Sequence, residues 1–308
     1  MTKFIKYCIA CILSAVLIFE GICLGILLLP YGKYSDSYQT TIQDKFELLK
    51  NTDEPKIIFI AGSSGAFGLD AEALEEASGY KVVNLGLHAG FGFLFITELS
   101  KVNINSGDIV LLAYEYNWTK EDAFTQIGTD LVMSGIGDKL EMYRYVPFSQ
   151  WKSIIGYLFT YAVQKNEYRR SDGVYSRDGF SNDGNQMIVE RTETYALKPE
   201  NIQELQPDIS EETVAYLKKF KNYVDEQGAS LYFVAAPYVE GYFSNAEQMR
   251  ELISNEEAEI GVPYISDPEV YALSGALMFD TGYHCNSAGE KVRTDLLIDD
   301  LRRASVIN

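Results

Sequence analysis

Five short, largely apolar runs recur along the sequence and alternate with stretches of helical pattern. The runs are residues 57–60, 82–85, 109–113, 231–236 and 262–265. Runs of this length that lack polar alternation are typical of strands covered on both faces, as in a parallel sheet. Repeated strand, helix and strand units therefore predict an α/β fold, in which helices cover both faces of a parallel sheet.

Local signals indicate where helices begin and end. Residues 70–78 carry alanine and leucine at helical spacing, and Gly79 follows as a C-cap. Residues 210–227 are preceded by an Asp208-x-x-Glu211 capping box and closed by Gly228. Two further helices are predicted over residues 42–49 and 149–163.

The N-terminal stretch 7–29 is almost wholly apolar and follows Lys3 and Lys6. It is long enough to cross a membrane, and it does not end in the small residues of a signal-peptide cleavage site. The positive-inside rule then places residues 31–308 outside the cytoplasm. This predicts an anchor (1–30), a connector with a short helix (31–54) and an α/β domain (55–308) with an insertion at about 118–207.

The formal net charge is −18 for the 308-residue chain and −19 for the part that follows residue 30. Such a surface as a whole is a poor partner for nucleic acid or anionic lipid. Three of the four cysteines lie in the apolar N-terminal stretch, and only Cys285 lies in the body. The cysteines offer neither a disulfide framework nor zinc-ligand spacing. We also expect no metal and no cofactor.

The first apolar run ends in Gly62-Ser63-Ser64-Gly65-Ala66-Phe67-Gly68. Ligands bind beyond the carboxyl ends of parallel strands, so this turn is a candidate site. A serine on a tight strand-to-helix turn can act as a nucleophile, with its own amide available to an oxyanion. A phosphate cradle is disfavoured because the P-loop lysine is absent, and a simple packing turn is the structural alternative.

A serine nucleophile requires a base, and the chain has only two histidines, His88 and His284. His284 follows Asp280 by four residues, close enough for the carboxylate to orient the imidazole. A Ser287-x-x-Glu290 capping box follows and predicts the start of a helix. A purely structural Asp–His pair is the alternative.

The ends of the second and third apolar runs add further candidates. Asn84-Leu85-Gly86-Leu87-His88-Ala89-Gly90 begins within the second run and continues past it, and Tyr114-Glu115-Tyr116-Asn117 follows the third. Glycines let a backbone amide approach a reacting oxygen, whereas His88, Glu115 and Tyr283 are predicted to line the site. A glycine-rich turn and a solvent-facing polar cluster are the structural alternatives.

In their order along the chain, these blocks resemble the SGNH (GDSL-like) hydrolase family. The resemblance implies a three-layer, flavodoxin-like fold that needs no cofactor. It implies Ser64 as nucleophile and oxyanion amide, Gly86 or Gly90 as a second oxyanion amide, and Asp280 and His284 as acid and base. The family's Gly-x-Asn-Asp block is missing, and Asn117 and Glu115 are equal candidates for the place of its asparagine. The Asp280-x-x-x-His284 spacing is one residue longer than the family's.

The resemblance extends to membrane-anchored members, such as DltD-like proteins, that act in cell-wall and exopolysaccharide assembly. It implies an extracytoplasmic esterase or O-acyltransferase acting on an acylated glycan or wall polymer beside a multi-span membrane acyltransferase. Glu20, inside the anchor, is a candidate contact for such a partner. A catalytically silent scaffold of the same fold is the second hypothesis, and a phosphate-ester or nucleotide-binding domain is a weaker third.

Overall fold

The structure is a computed structural model that describes residues 2–28, 36–119, 124–165, 173–206 and 208–308. Its strands are β1 (Lys56–Ala61), β2 (Lys81–Gly86), β3 (Ile109–Ala113), β4 (Ser230–Phe233), β5 (Tyr238–Val239) and β6 (Ala272–Leu273). Its α-helices are α1 (Thr2–Leu27), α2 (Thr41–Asn51), α3 (Ser63–Ala66), α4 (Ala71–Ser78), α5 (Phe93–Ser100), α6 (Thr129–Ile136), α7 (Trp151–Gln164), α8 (Glu211–Glu226), α9 (Met249–Ile260) and α10 (Ser287–Arg303).

The main sheet has four strands in the order β2-β1-β3-β4, and all neighbouring pairs are parallel. This confirms the predicted α/β class and four of the five predicted strands. The fifth, residues 262–265, is wrong as a strand, because it forms only a bridge between Tyr264 and Phe233. Pro263 has no N–H, so it cannot donate the hydrogen bond that would continue the pairing with β4.

Helices cover both faces of the sheet. On one face Ile58, Val83 and Val110 pack with side chains of α2, α5 and α8. On the other face Ile57 and Ile109, with their neighbours, pack with side chains of α4 and α10. Because successive strand residues point to opposite faces, each continuous apolar run supplies both cores at once. The carboxyl ends of β1, β2 and β3 therefore open at one edge, between the two helical layers.

Most predicted helix ends are confirmed, and two caps differ. Gly79 ends α4 in the left-handed conformation, with a φ of 72°. The cap of α8 is Ser210, whose side chain accepts from Thr213, in place of Asp208. The cap of α10 is Asn286, whose side chain accepts from Gly289, in place of Ser287. Each actual cap directly precedes the first helical residue, where its oxygen reaches the free amides of the first turn.

Within the described residues, α1 contains one segment, Lys3–Gly25, that is long and apolar enough to cross a membrane. Residues 31–35 of the predicted connector lie outside the described residues. Parts of the predicted insertion at about 118–207 do too. The described parts of the insertion contain α6 and α7, followed by short turns. These turns return to the sheet edge, where Phe180 and Met187 pack against Tyr38 and Phe67.

Candidate active site

Three polar side chains form a continuous hydrogen-bonded chain at the carboxyl edge of the sheet. The imidazole Nε2 of His284 lies 2.9 Å from Ser63 Oγ. Its Nδ1 lies 2.8 Å from Asp280 Oδ1. The imidazole is largely buried, whereas Ser63 is half-buried and reachable from solvent. This Ser63–His284–Asp280 triad has the geometry of a nucleophile, a general base and a carboxylate that orients the base.

The structure corrects the expected choice between the two serines. We expected Ser64 to face the imidazole, but Ser63 makes that hydrogen bond. Ser64 is buried, and its amide donates to Glu115 Oε1 over 2.9 Å. Since α3 begins at Ser63, the two serines lie one helical position apart, and their side chains point about 100° from each other. Only one of them can point at His284.

The loop between Phe279 and His284 explains how the longer acid–base spacing still closes. The Phe279 amide donates to the carbonyl of His284 over 2.7 Å, which folds the loop back on itself. The amide of His284 also donates to Thr281 Oγ1 over 3.1 Å. These bonds return the Asp280 carboxylate to the imidazole. Partial burial acts to raise the pKa of Asp280, but hydrogen bonds from His284 and Tyr175 and the charge of His284 lower it overall.

Two aromatic residues of the site have no signal in the sequence. The Tyr175 hydroxyl donates to Asp280 Oδ2 and lies 3.5 Å from His284 Nδ1. Phe67 stacks on the imidazole, with ring centroids 4.4 Å apart and planes 19° apart. Tyr175 comes from the insertion, in a polar segment with no periodicity. The insertion thus contributes a side chain that holds the acid of the triad.

The glycine amides expected to bind an oxyanion are already occupied. The Gly86 amide donates to Asn84 Oδ1 over 2.8 Å, and the Gly90 amide donates to His88 Nδ1 over 2.9 Å. Gly86 has a packing reason to be glycine, because a Cβ there would lie 2.3 Å from the backbone nitrogen of Ala66. The side chain of Asn117 is outside what the structure describes. Neither glycine therefore lies open to a substrate carbonyl in this arrangement.

Glu115 lies at this edge of the sheet, two positions after β3 ends. It is buried, and its Oε2 has no hydrogen-bond partner among the described residues. Both carboxylate oxygens lie against the Cα of Gly62, where any Cβ would come within 2.4 Å of them. Burial raises the pKa of Glu115, although the hydrogen bond from the Ser64 amide and the charge of His284 act against the increase. In its protonated form a carboxyl at this position can donate a hydrogen bond.

Of the other predicted lining residues, Tyr283 lies near the Glu115 carboxyl and His88 lies near His284. Tyr283 is half-buried against Tyr242, with ring centroids 5.0 Å apart, and its hydroxyl has no partner among the described residues. Burial raises its pKa, and the nearby charges of Tyr242 and Glu115 raise it further. His88 is exposed and close enough to His284 for their charges to interact. Polar groups thus border the triad on more than one side.

The described residues at this edge provide neither a cluster of metal ligands nor a reactive thiol. Within the described ranges, no three His, Cys, Asp or Glu side chains lie together as a metal site would require. Cys285 follows the catalytic histidine candidate but is fully buried. Burial raises the pKa of its thiol to about 12, so the reactive thiolate is scarce near neutral pH.

Comparison with known proteins does not assign this sequence to a family. Neither a protein-family model nor a curated protein matches this sequence. Function must therefore be inferred from the fold and from the geometry of the triad.

Proposed function

We propose that this protein is a serine acyl-transfer enzyme, an esterase or O-acyltransferase of the SGNH (GDSL-like) type. The observation that carries the proposal is the triad: Ser63, His284 and Asp280 are joined by hydrogen bonds of 2.9 and 2.8 Å. The nucleophile follows β1, and His284 lies just before α10. The sheet order β2-β1-β3-β4 is compatible with the flavodoxin-like arrangement that the resemblance implies.

In the proposed reaction, Ser63 Oγ attacks the carbonyl carbon of an ester while His284 Nε2 takes the serine proton. Asp280 accepts the Nδ1–H hydrogen bond and stabilises the imidazolium that forms. The imidazolium then gives its proton to the leaving alkoxide, which departs as an alcohol and leaves an acyl-serine. Water or a sugar hydroxyl next attacks this acyl-serine, with His284 again acting as base. Water as acceptor makes the enzyme an esterase, and a sugar hydroxyl makes it a transferase.

The negative charge on the carbonyl oxygen needs hydrogen-bond donors. Ser63 is the first residue of α3, so its amide has no acceptor within that helix. Glu115, when protonated, is the proposed second donor, because its Oε2 has no hydrogen-bond partner among the described residues and lies against Gly62, next to Ser63. In this proposal Glu115 takes the place of the family's asparagine, and the amide of Ser64 holds Oε1 in position.

The proposed setting is a cell membrane, with α1 as a single anchor and residues 31–308 outside the cytoplasm. An acylated glycan or wall polymer is the proposed substrate, and a multi-span acyltransferase is the proposed partner. Glu20 is the proposed contact within the membrane, because a carboxylate in a membrane span is costly unless it has a polar partner, and its Oε2 has none among the described residues. Glu20→Leu should reduce co-purification of such a partner, and full retention would exclude this contact.

A catalytically silent scaffold of the same fold is the second candidate. One observation favours it: the amides of Ser64, Gly86 and Gly90 are all satisfied by side chains of the protein itself. A site without free donors binds an oxyanion poorly. The scaffold would keep the fold and bind a glycan or a membrane partner.

Labelling with a serine-directed fluorophosphonate separates the two candidates. The full chain in detergent is treated with the reagent, and the adduct is located by mass spectrometry. The enzyme proposal predicts an adduct on Ser63 that is lost in His284→Ala. His88→Ala is the matched control, because it removes the chain's other histidine, and it should keep the label. An unlabelled but folded wild-type protein would support the scaffold instead.

A further inference from the structure

The helix α7 packs against the N-terminal helix α1. The rings of Phe19 and Phe159 meet with centroids 5.5 Å apart. The segment suited to spanning a membrane ends at Gly25, six residues after Phe19, which corresponds to about 9 Å along a helix. If α1 spans the bilayer, Phe159 lies at the depth of the acyl chains, below the outer headgroups.

The side of α7 away from the core exposes large apolar side chains. The exposed fractions of Ile155, Phe159 and Val163 are 47, 55 and 53%. They follow at four-residue intervals, which places them on one face of the helix. Phe148, just before α7, is 92% exposed. Exposure of this apolar surface to water costs free energy, so we expect something other than water to cover it.

The charge of this region also differs from the rest of the protein. The body carries a net charge of −19, yet residues 142–165 contain three basic residues and no acidic one. Arg144 and Lys152, two of the three, are exposed. Basic side chains beside an apolar helical face are typical of helices that lie in the membrane interface, where they meet anionic headgroups. The net negative charge of the body therefore does not extend to residues 142–165.

We propose that α7 is a second membrane contact, which lies in the outer leaflet with Ile155, Phe159 and Val163 among the acyl chains. The inference rests on the proposed anchoring by α1. A lipid is the occupant best supported, because α1 fixes the depth of α7 and helices of this kind insert by about 5 to 10 Å. A second copy of the chain, or another protein, would instead have to cover the face at the level of the lipid.

This contact would also place the active site relative to the membrane. The helix α6 packs on α7 and also contacts the 3₁₀ turns Tyr38–Thr40 and Ala89–Phe91. Those turns border the triad, since Tyr38 packs on Phe67 and the second turn follows His88. The triad is thus separated from the membrane-facing helix by one helical layer.

The test uses the full chain in vesicles of phosphatidylcholine and phosphatidylglycerol. Cys8, Cys11 and Cys23 are replaced by alanine, while buried Cys285 stays. An environment-sensitive NBD label is then attached to Phe159→Cys. Ile12→Cys in α1 is the anchoring control, and Val270→Cys, exposed in the 3₁₀ helix Pro268–Tyr271, is the solvent control. Nitroxide groups on the acyl chains report direct contact with lipid.

We expect blue-shifted emission and quenching by nitroxide at positions 159 and 12, and neither at position 270. Val163→Cys lies one turn further on the same face and should behave like Phe159→Cys, which covers the case in which one variant does not fold. Water-like emission at 159, with position 12 quenched, would overturn the α7 contact and leave the anchor standing. Blue-shifted emission without nitroxide quenching at 159 would show a protein cover and also overturn it. Neither outcome depends on catalysis, so failure here is distinguishable from failure of the proposed enzyme.

Discussion

Separate alanine substitutions of Ser63 and Ser64 test the proposed nucleophile most directly. The two residues are adjacent and chemically identical, yet only the Ser63 hydroxyl lies 2.9 Å from His284 Nε2. Ser63→Ala removes the attacking oxygen. Loss of a nucleophile that acts in a triad costs about four to six powers of ten in kcat, or about 5 to 8 kcal/mol of transition-state stabilisation.

Ser64→Ala should behave differently. It keeps the backbone amide that donates to Glu115 and removes only a buried hydroxyl. Because that hydroxyl has no hydrogen-bond partner among the described residues, we expect a change in the free energy of unfolding of less than about 1 kcal/mol and a change in kcat of less than about tenfold. Ser64→Ala is therefore the matched control for Ser63→Ala.

The assay is hydrolysis of a chromogenic acetate ester by the full chain in detergent, with urea unfolding of each variant as the stability check. Ser63→Ala combined with His284→Ala should be no worse than either alone, because the residues act as a unit. The reasoning is refuted if Ser64→Ala abolishes activity while folded Ser63→Ala retains it. Equal and modest losses in both variants would argue against any serine nucleophile at this turn.

Three further predictions follow from the carboxyl groups of the described structure. Because burial raises the pKa of Glu115 and its neutral form is the proposed donor, activity should fall as pH rises through that pKa. Glu115→Gln should remove this alkaline limb in the pH profile of kcat, whereas Glu115→Ala should be slow at every pH. Tyr175→Phe removes a hydrogen bond that holds the Asp280 carboxylate and lowers its pKa, so kcat/KM should drop about tenfold; an unchanged kcat/KM would deny Tyr175 a positioning role. Burial raises the pKa of Glu256 from 4.5 to about 8, so the native state keeps a proton that the unfolded state loses above pH 4.5. The free energy of unfolding should then decrease from about pH 5 to pH 8, by up to about 1.4 kcal/mol per pH unit, and Glu256→Gln should flatten that dependence in urea melts.

The sequence by itself predicted the four strands of the main sheet and the helices α1, α2, α4, α7, α8 and α10, but it did not predict α5 or α9. Runs such as 57–60 and 109–113 are apolar at every position because both faces of those strands are covered, and that pattern is visible without a structure. Gly79 marked the end of α4 for an equally local reason, since few other residues adopt its left-handed conformation. The Asp280 and His284 pair could also be found, because both residues lie in one short segment.

Tertiary structure alone decided the arrangement of the site. Ser63 and His284 are 221 positions apart, so the serine that meets the imidazole depends on the angle at which α3 leaves β1. Tyr175 reaches Asp280 only because the insertion folds back over the sheet edge. No periodic pattern in the sequence predicts such a contact. The pKa of Glu115 follows from burial beneath Gly62 and Ser64, which is a property of packing. Local patterns fix the elements, because their causes lie within a few residues, whereas a site joins residues that only the packed fold brings together.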